Sequence, residues 1–288
     1  MKFKLFIIIV LASLTASRLC SAQEVPYFVT YSHHLEEPGS LDIETKVATG
    51  RPQSPGHRFF GESTEFEYGT TAWWTTELYV DVTGTKDEST VLGGFRLENR
   101  IRPLMREHWI NPVLYFEFED INGANKSVLE VVGHDGAADL VDDMHETRKE
   151  KLREAELKLI LSSDLKGWNV SENVIFEKNL ANSPWEFGYA LAASRPLRLR
   201  ASATPCTFCL ENFSAGAEMY GGLGDRYTPG LHNTSQYAGP VAQWQILNGP
   251  RISFGTGFGL NDYSLPHITR IGVAYEFNQL FRRKGGSR

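Results

Sequence analysis

Cysteine is scarce in this chain: only Cys20, Cys206 and Cys209. The last two form a single CxxC in Pro205-Cys206-Thr207-Phe208-Cys209. No histidine follows Cys209, which excludes the covalent haem motif, and without a second CxxC a structural zinc site lacks ligands. The residues after Leu210 read as a strand rather than the helix that follows a thioredoxin-type pair. Cys206 and Cys209 are therefore expected to form a local disulfide in an oxidising compartment. Basic surplus is missing too: the formal charge is −6, which argues against nucleic acid as a partner. No apolar run beyond the first two dozen residues approaches the ~18 of a membrane-spanning helix. There is no Gly-x-Ser-x-Gly elbow and no EF-hand spacing. No cofactor is expected.

The chain opens with MKFKLFIIIVLASLTASRLCSA. Lys2 and Lys4, a short apolar run and the small residues at Cys20-Ser21-Ala22 read as a signal peptide spanning 1–22, cleaved after Ala22. Aromatics make up 12% of the sequence and there are 26 glycines, a composition that favours strands and turns.

Period-two alternation dominates beyond the signal. In YGTTAWWTTELYVDV, residues Trp74, Thr76, Leu78, Val80 and Val82 share one face, while Trp73, Thr75, Glu77, Tyr79 and Asp81 share the other. The same pattern predicts twelve strands over 41–49, 59–68, 72–82, 92–102, 111–119, 156–163, 168–177, 185–195, 210–220, 237–247, 251–261 and 266–277. Most approach ten residues, the length that crosses a bilayer at a tilt and long for a soluble sheet. Short links such as 164–167 and 248–250 alternate for the most part with longer ones such as 50–58 and 120–155. Trp73, Trp74, Trp168, Trp185, Tyr275 and Phe277 sit at strand ends, where aromatic girdles lie. The late strands carry small residues on their second face, among them Gly188, Ala190, Gly255, Gly257 and Gly272. The fold class expected is all-β: an antiparallel transmembrane β-barrel of about 12 strands.

These strands imply a division of the chain into a signal at 1–22, a periplasmic lead-in at 23–40, a barrel over 41–277 and a basic tail at 278–288. A long loop at 120–155 contains a helix over 136–150. The side chains expected to line the lumen, as possible solute contacts, include Glu65, Glu67, Glu77, Tyr79, Asp81, Arg96, Glu98, Arg100, Glu117, Glu156, Lys158, Glu186, Arg251 and Arg270. Glu77 is expected to pair with Arg96 or Arg100. Counted over the whole second face, carboxylates outnumber cationic groups, so the lumen should be net acidic. His33-His34 precedes Glu36-Glu37, but neighbouring histidines on a strand point to opposite faces. No metal is expected there, and the acidic run 139–146 reads as a solvated face.

Arg270-x-Gly272-x-x-Tyr275-x-Phe277 resembles the C-terminal assembly signal of Gram-negative outer-membrane proteins, departing from it in the eleven residues after Phe277. With Tyr68-Gly69-x-Thr71 and Tyr220-Gly221-Gly222-Leu223-Gly224, the chain resembles uncharacterised outer-membrane β-barrels, transporter-like proteins of the phenol-degradation MetA-pathway type. That resemblance implies location in the bacterial outer membrane, the lipid bilayer and the outer-membrane assembly machinery as partners, and passage of a small-molecule solute, hydrophobic or polar. It supplies no catalytic residue.

Two alternatives remain open on the sequence. One is a closed structural barrel with a salt-bridged interior. The other is a secreted β-jelly-roll glycoside hydrolase, because Glu65-x-Glu67 and Glu117-x-Glu119 each put two carboxylates on one strand face. His267 lies near Ser264, but no third group completes a hydrolytic triad.

Overall fold

The structure is a computed structural model that describes residues 25–52, 57–127, 131–134, 136, 140–181 and 183–278. The expected signal peptide and the tail beyond 278 lie outside the described residues.

Twelve antiparallel strands close into one barrel. They are β1 (Leu41–Gly50), β2 (Phe59–Thr71), β3 (Trp74–Thr85), β4 (Thr90–Ile101), β5 (Asn111–Asn122), β6 (Lys151–Leu165), β7 (Trp168–Asn179), β8 (Glu186–Pro196), β9 (Phe213–Asp225), β10 (Gln236–Gln245), β11 (Arg251–Gly259) and β12 (His267–Phe277). Each strand pairs with its sequence neighbours. Closure comes from β1 against β12, in register from Leu41↔Phe277 to Gly50↔Ile268. With no free edge, every strand has backbone partners on both sides, the condition a sheet must meet in hydrocarbon.

The alternation decides which face is which. Leu78 is 46% exposed and its neighbour Glu77 is 1% exposed. Leu97, Phe116 and Val273 are likewise exposed in mid-strand, while Asp81, Glu98 and Glu117 are buried. A soluble barrel or sandwich would show the reverse. Among the described residues no second sheet covers the apolar face, so the stacked architecture required by the jelly-roll hydrolase is not the one observed. Among the same residues, no helix is long and apolar enough to cross a membrane.

Turns and loops form the two ends of the barrel. Trp73, Trp109 and Trp168 stand exposed at the end where β1 begins and β12 stops, as do Tyr275 and Phe277. At this end the β2–β3 turn is Ala72-Trp73, with Thr71 opposite Trp74, rather than the expected Gly69-Thr70-Thr71. The pairing simply continues until the chain must reverse, and the indoles of Trp73 and Trp74 stack at 6.2 Å. The link between β8 and β9 carries the Cys206–Cys209 disulfide and a 3₁₀ turn, Leu210–Asn212, where a strand was expected to start.

The large loop is shorter than expected because β5 and β6 pair out to Asn122↔Lys151. Within the expected helix over 136–150, Met144–Thr147 form α1, with Asp143 capping it by accepting from His145 N, while 140–143 are not helical. Lys126 in this loop is buried, donating to the carbonyls of Leu140 and Asp142 at 3.1 Å. Burial holds its pKa below the ordinary lysine value, against the pull of Glu88, Asp142 and Asp143.

The stretch from Val25 to Ser40 departs most from expectation. Anticipated as a lead-in outside the barrel, it instead packs against luminal side chains. Phe28 lies over Gly255, where an added Cβ would come within 2.9 Å of its ring. Val131 of the large loop similarly fills the space beside Gly188. The room left by small residues on the late strands is thus occupied by the protein's own chain. Tyr27, Phe28, Val29, Ala48, Phe59, Val131, Tyr220, Tyr237, Val241 and Ile268 belong to one buried apolar cluster inside the barrel.

Candidate functional site

The lumen divides into three parts, set by what each group of strands supplies.

The first is the N-terminal strap, residues 25–36. Its backbone is irregular, so its polar groups need partners from the wall. Glu218 on β9 supplies most of them. Its carboxylate accepts from the amides of Phe28 and Val29 at 2.8 Å, and from the Thr30 amide at 2.5 Å and Oγ1 at 2.6 Å. Asn173 on β7 brackets Tyr31, accepting from its amide at 2.6 Å and donating to its carbonyl at 2.9 Å. The Tyr27 hydroxyl donates to Asn169 Oδ1 at 2.7 Å, and Arg270 donates to the Tyr27 carbonyl at 3.0 Å. Burial pushes the Tyr27 phenol well above its ordinary range, with the Glu218 charge adding to the shift. Further along, His33 Nδ1 lies 2.9 Å from Ser162 Oγ on β6. Burial, then the neighbouring His34, lowers the His33 pKa, while Glu107 and Asp164 oppose the shift.

The second part is a buried charge network on β2 to β6. Arg100 donates Nε to Glu77 Oε1 at 2.6 Å and Nη2 to Glu67 Oε1 at 2.5 Å, with Glu98 at 3.2 Å. Arg96 donates to Asp81 at 2.9 Å, to Glu117 at 3.0 Å and to Ser63 at 3.1 Å. The guanidinium of Arg96 stacks 4.2 Å over the Tyr79 ring, whose hydroxyl reaches Glu77 and Glu98. Lys158 pairs with Glu156 at 2.8 Å and lies over the rings of Tyr115 and Tyr31. The expected partner of Glu77 is thus Arg100; Arg96 serves Asp81 further along the strand. Buried charges of this kind persist only when paired, and removing one partner typically costs about 3–5 kcal/mol.

The third part is open space. A cavity of about 870 Å³ runs from the mouth near Leu247, Asn248 and Asn278 to Ser127 of the large loop. One side is the strap, and the other is β10, β11, β12, β1, β2 and parts of β3 and β4, with the β8–β9 link contributing near the mouth. Its charged lining comprises seven carboxylates, Glu36, Glu37, Glu44, Glu65, Glu67, Glu211 and Glu276, and five cationic groups, Lys46, Arg96, Arg100, Arg251 and Arg270. Several are held in ion pairs: Lys46 with Glu65 at 2.5 Å and Arg251 with Asp42 at 2.7 Å.

Of the residues singled out from the sequence, Glu65, Glu67, Tyr79, Arg96, Arg100, Arg251 and Arg270 line this cavity. Glu77, Asp81, Glu98, Glu117, Glu156 and Lys158 also point inward but do not line the cavity; they are the buried members of the network, paired with Arg96 and Arg100 or packed against the Tyr31 and Tyr115 rings. Glu186 sits apart at the far end, beside Gly133 of the large loop. Glu65 and Glu67 are held in ion pairs with Lys46 and Arg100. Sequence reasoning did not single out Tyr27, Thr30, Tyr31 or Asn173. The one available signal was the aromatic run Tyr27-Phe28-Val29-Thr30-Tyr31, which has strand character but no strand to pair with.

No family model and no curated protein matches this chain. Among solved structures it is similar to the COG4313 outer membrane channel from Pseudomonas putida F1, at 10% identity and a TM-score of 0.53, over 88% of this chain and all of that one. It also aligns with the KdgM porin in complex with disordered oligogalacturonate, at 11% identity and a TM-score of 0.46 over 83% and 99% of the two chains. A third match is the translocator domain of autotransporter NalP from Neisseria meningitidis, at 15% identity and a TM-score of 0.43 over 85% and 90%. The first of these establishes likeness of fold: a closed barrel of outer-membrane type.

Proposed function

We propose that this chain is an outer-membrane channel or transporter for small cationic or neutral solutes, with a narrow lumen partly filled by its own N-terminal strap. The observation that carries this reading is the inversion of the barrel: an exposed apolar belt around a buried charged interior that still encloses about 870 Å³. Lipid is the medium that such a belt suits, which supports location in the outer membrane after removal of the signal at 1–22. The excess of carboxylates over cationic groups in the cavity favours cations over anions. The transporter-like resemblance of the phenol-degradation type fits the same reading.

A closed structural barrel is the second reading, favoured by the strap and the large loop, which fill part of the lumen. Planar-bilayer recording separates the two. Under a salt gradient the channel reading predicts a reversal potential on the cation-selective side. Clear anion selectivity contradicts it, and silence across many confirmed insertions supports the closed barrel.

A further inference from the structure

We propose that His33, His34 and Asp164, with Glu107 beside His33, form a binding site for a divalent transition-metal ion of the zinc class at the mouth where β1 begins. The sequence argued against this, since adjacent histidines on a strand diverge. The strap is not a strand here: it bends at His33, and the two imidazoles converge to a centroid separation of 4.4 Å.

Their nitrogens meet carboxylates from two other elements. His34 Nε2 lies 2.9 Å from Asp164 Oδ2 at the end of β6, and His33 Nε2 lies 3.8 Å from the same oxygen. His33 Nε2 is also 3.0 Å from Oε2 of Glu107 in the β4–β5 link. Ligand atoms of His33, His34 and Asp164 all fall within 4.8 Å of one another. Ligands about 2.0–2.1 Å from a tetrahedral ion lie roughly 3.3 Å apart, and the His34–Asp164 and His33–Asp164 separations of 2.9 and 3.8 Å bracket that edge.

The outer contacts aim the site. Ser162 holds His33 Nδ1, which leaves Nε2 for the ion, and Asn169 donates to Asp164 Oδ1 at 2.7 Å, which leaves Oδ2. Such outer partners orient metal ligands. His33 is buried, whereas Asp164 and Glu107 reach solvent, so an ion has a way in. Two imidazoles with carboxylates suit zinc, nickel, cobalt or copper rather than magnesium or calcium, which take all-oxygen shells. The Glu65, Glu67 and Glu77 cluster is a weaker candidate because Lys46 and Arg100 already neutralise it. A metal bound at His33 and His34 joins the strap to β6 and to the β4–β5 link, and so latches the strap in place.

The test uses full-length protein in detergent, stripped with chelator and titrated calorimetrically with zinc chloride at neutral pH. The expected result is one saturable site of micromolar affinity or tighter, insensitive to excess magnesium, with cobalt giving the intense visible absorption of a four-coordinate ion. His34→Gln and Asp164→Asn should each weaken binding at least about tenfold, whereas His57→Gln, at the opposite end, should not. Heat-modifiable gel migration verifies that each variant is folded, and His34→Gln stands in if a change at buried His33 prevents folding. No saturable zinc binding, or binding unchanged in both His34→Gln and Asp164→Asn, overturns the site. Binding is read whether or not the barrel conducts, so its failure is separate from that of the channel.

Discussion

Glu218 holds Thr30 twice, through the backbone amide at 2.5 Å and through Oγ1 at 2.6 Å. The same carboxylate takes the amides of Phe28 and Val29. One wall residue therefore satisfies a whole turn of irregular backbone. Hydrogen bonds to a charged acceptor contribute about 1.5–3 kcal/mol each, roughly twice the neutral kind. Glu218→Gln keeps the shape and removes the charge. It should loosen the strap while leaving the barrel folded, seen as a rise of about tenfold or more in thiol labelling of a cysteine placed at Thr30. Unchanged labelling would show that apolar packing, rather than Glu218, retains the strap.

Tyr27 makes the strap sensitive to alkali. Its phenol titrates above the ordinary value of 10.0 because burial disfavours the phenolate. The unfolded chain loses the proton first as pH rises, so the contribution is complete below pH about 10 and declines as pH climbs towards the raised folded value. Strap labelling should increase above pH about 10 in the parent. Tyr27→Phe should blunt that increase, a comparison that cancels the effect of the other buried tyrosines.

Arg100 is shared in the interior by three carboxylates, Glu67, Glu77 and Glu98. Arg100→Met leaves three carboxylates without their common partner. The expected loss is about 3–5 kcal/mol, read as a lower temperature for conversion of the folded to the unfolded band on a denaturing gel. A shift indistinguishable from the parent would mean that water already screens the network.

Leu78 tests the outer face. It stands mid-strand on β3, 46% exposed and directly opposite Leu97 and Phe66. Arginine at the bilayer midplane of a barrel costs about 2–4 kcal/mol. Leu78→Arg should therefore impair folding into vesicles, and Leu78→Phe should be tolerated. Equal folding of both variants would place that face in water.

Much of the barrel was legible because one physical rule wrote it. Lipid on one side and a polar lumen on the other impose a period of two on every strand, and β1, β5, β7, β11 and β12 begin within a residue of where that rule starts them. The charge pairs were half legible: Glu77, Asp81, Arg96 and Arg100 share the inward face of adjacent strands, but the register that sets Arg100 beside Glu77 and Arg96 beside Asp81 runs only as far as Asp81↔Gly94, where a bulge shifts the pairing and Gly94 takes φ 148°. Side chains rarely adopt that conformation, and nothing in the alternation announces it. The strap was legible only as the aromatic run Tyr27 to Tyr31, and its place in the lumen was not, because backbone held by Glu218 and Asn173 has no period. The convergence of His33 and His34 was hidden for the same reason, since it depends on a bend rather than on spacing. The helix expected over 136–150 was suggested by apolar spacing, yet 140–143 are not helical and Met144–Thr147 form a single turn.

A conducting lumen narrowed by the strap is the central claim. The most direct measurement compares single-channel conductance of the full-length protein with that of a form lacking residues 25–36, after both show heat-modifiable migration. A conductance several-fold larger without the strap, cation-selective in both forms, is the predicted result. Equal conductance, anion selectivity, or silence from the shortened form would contradict it.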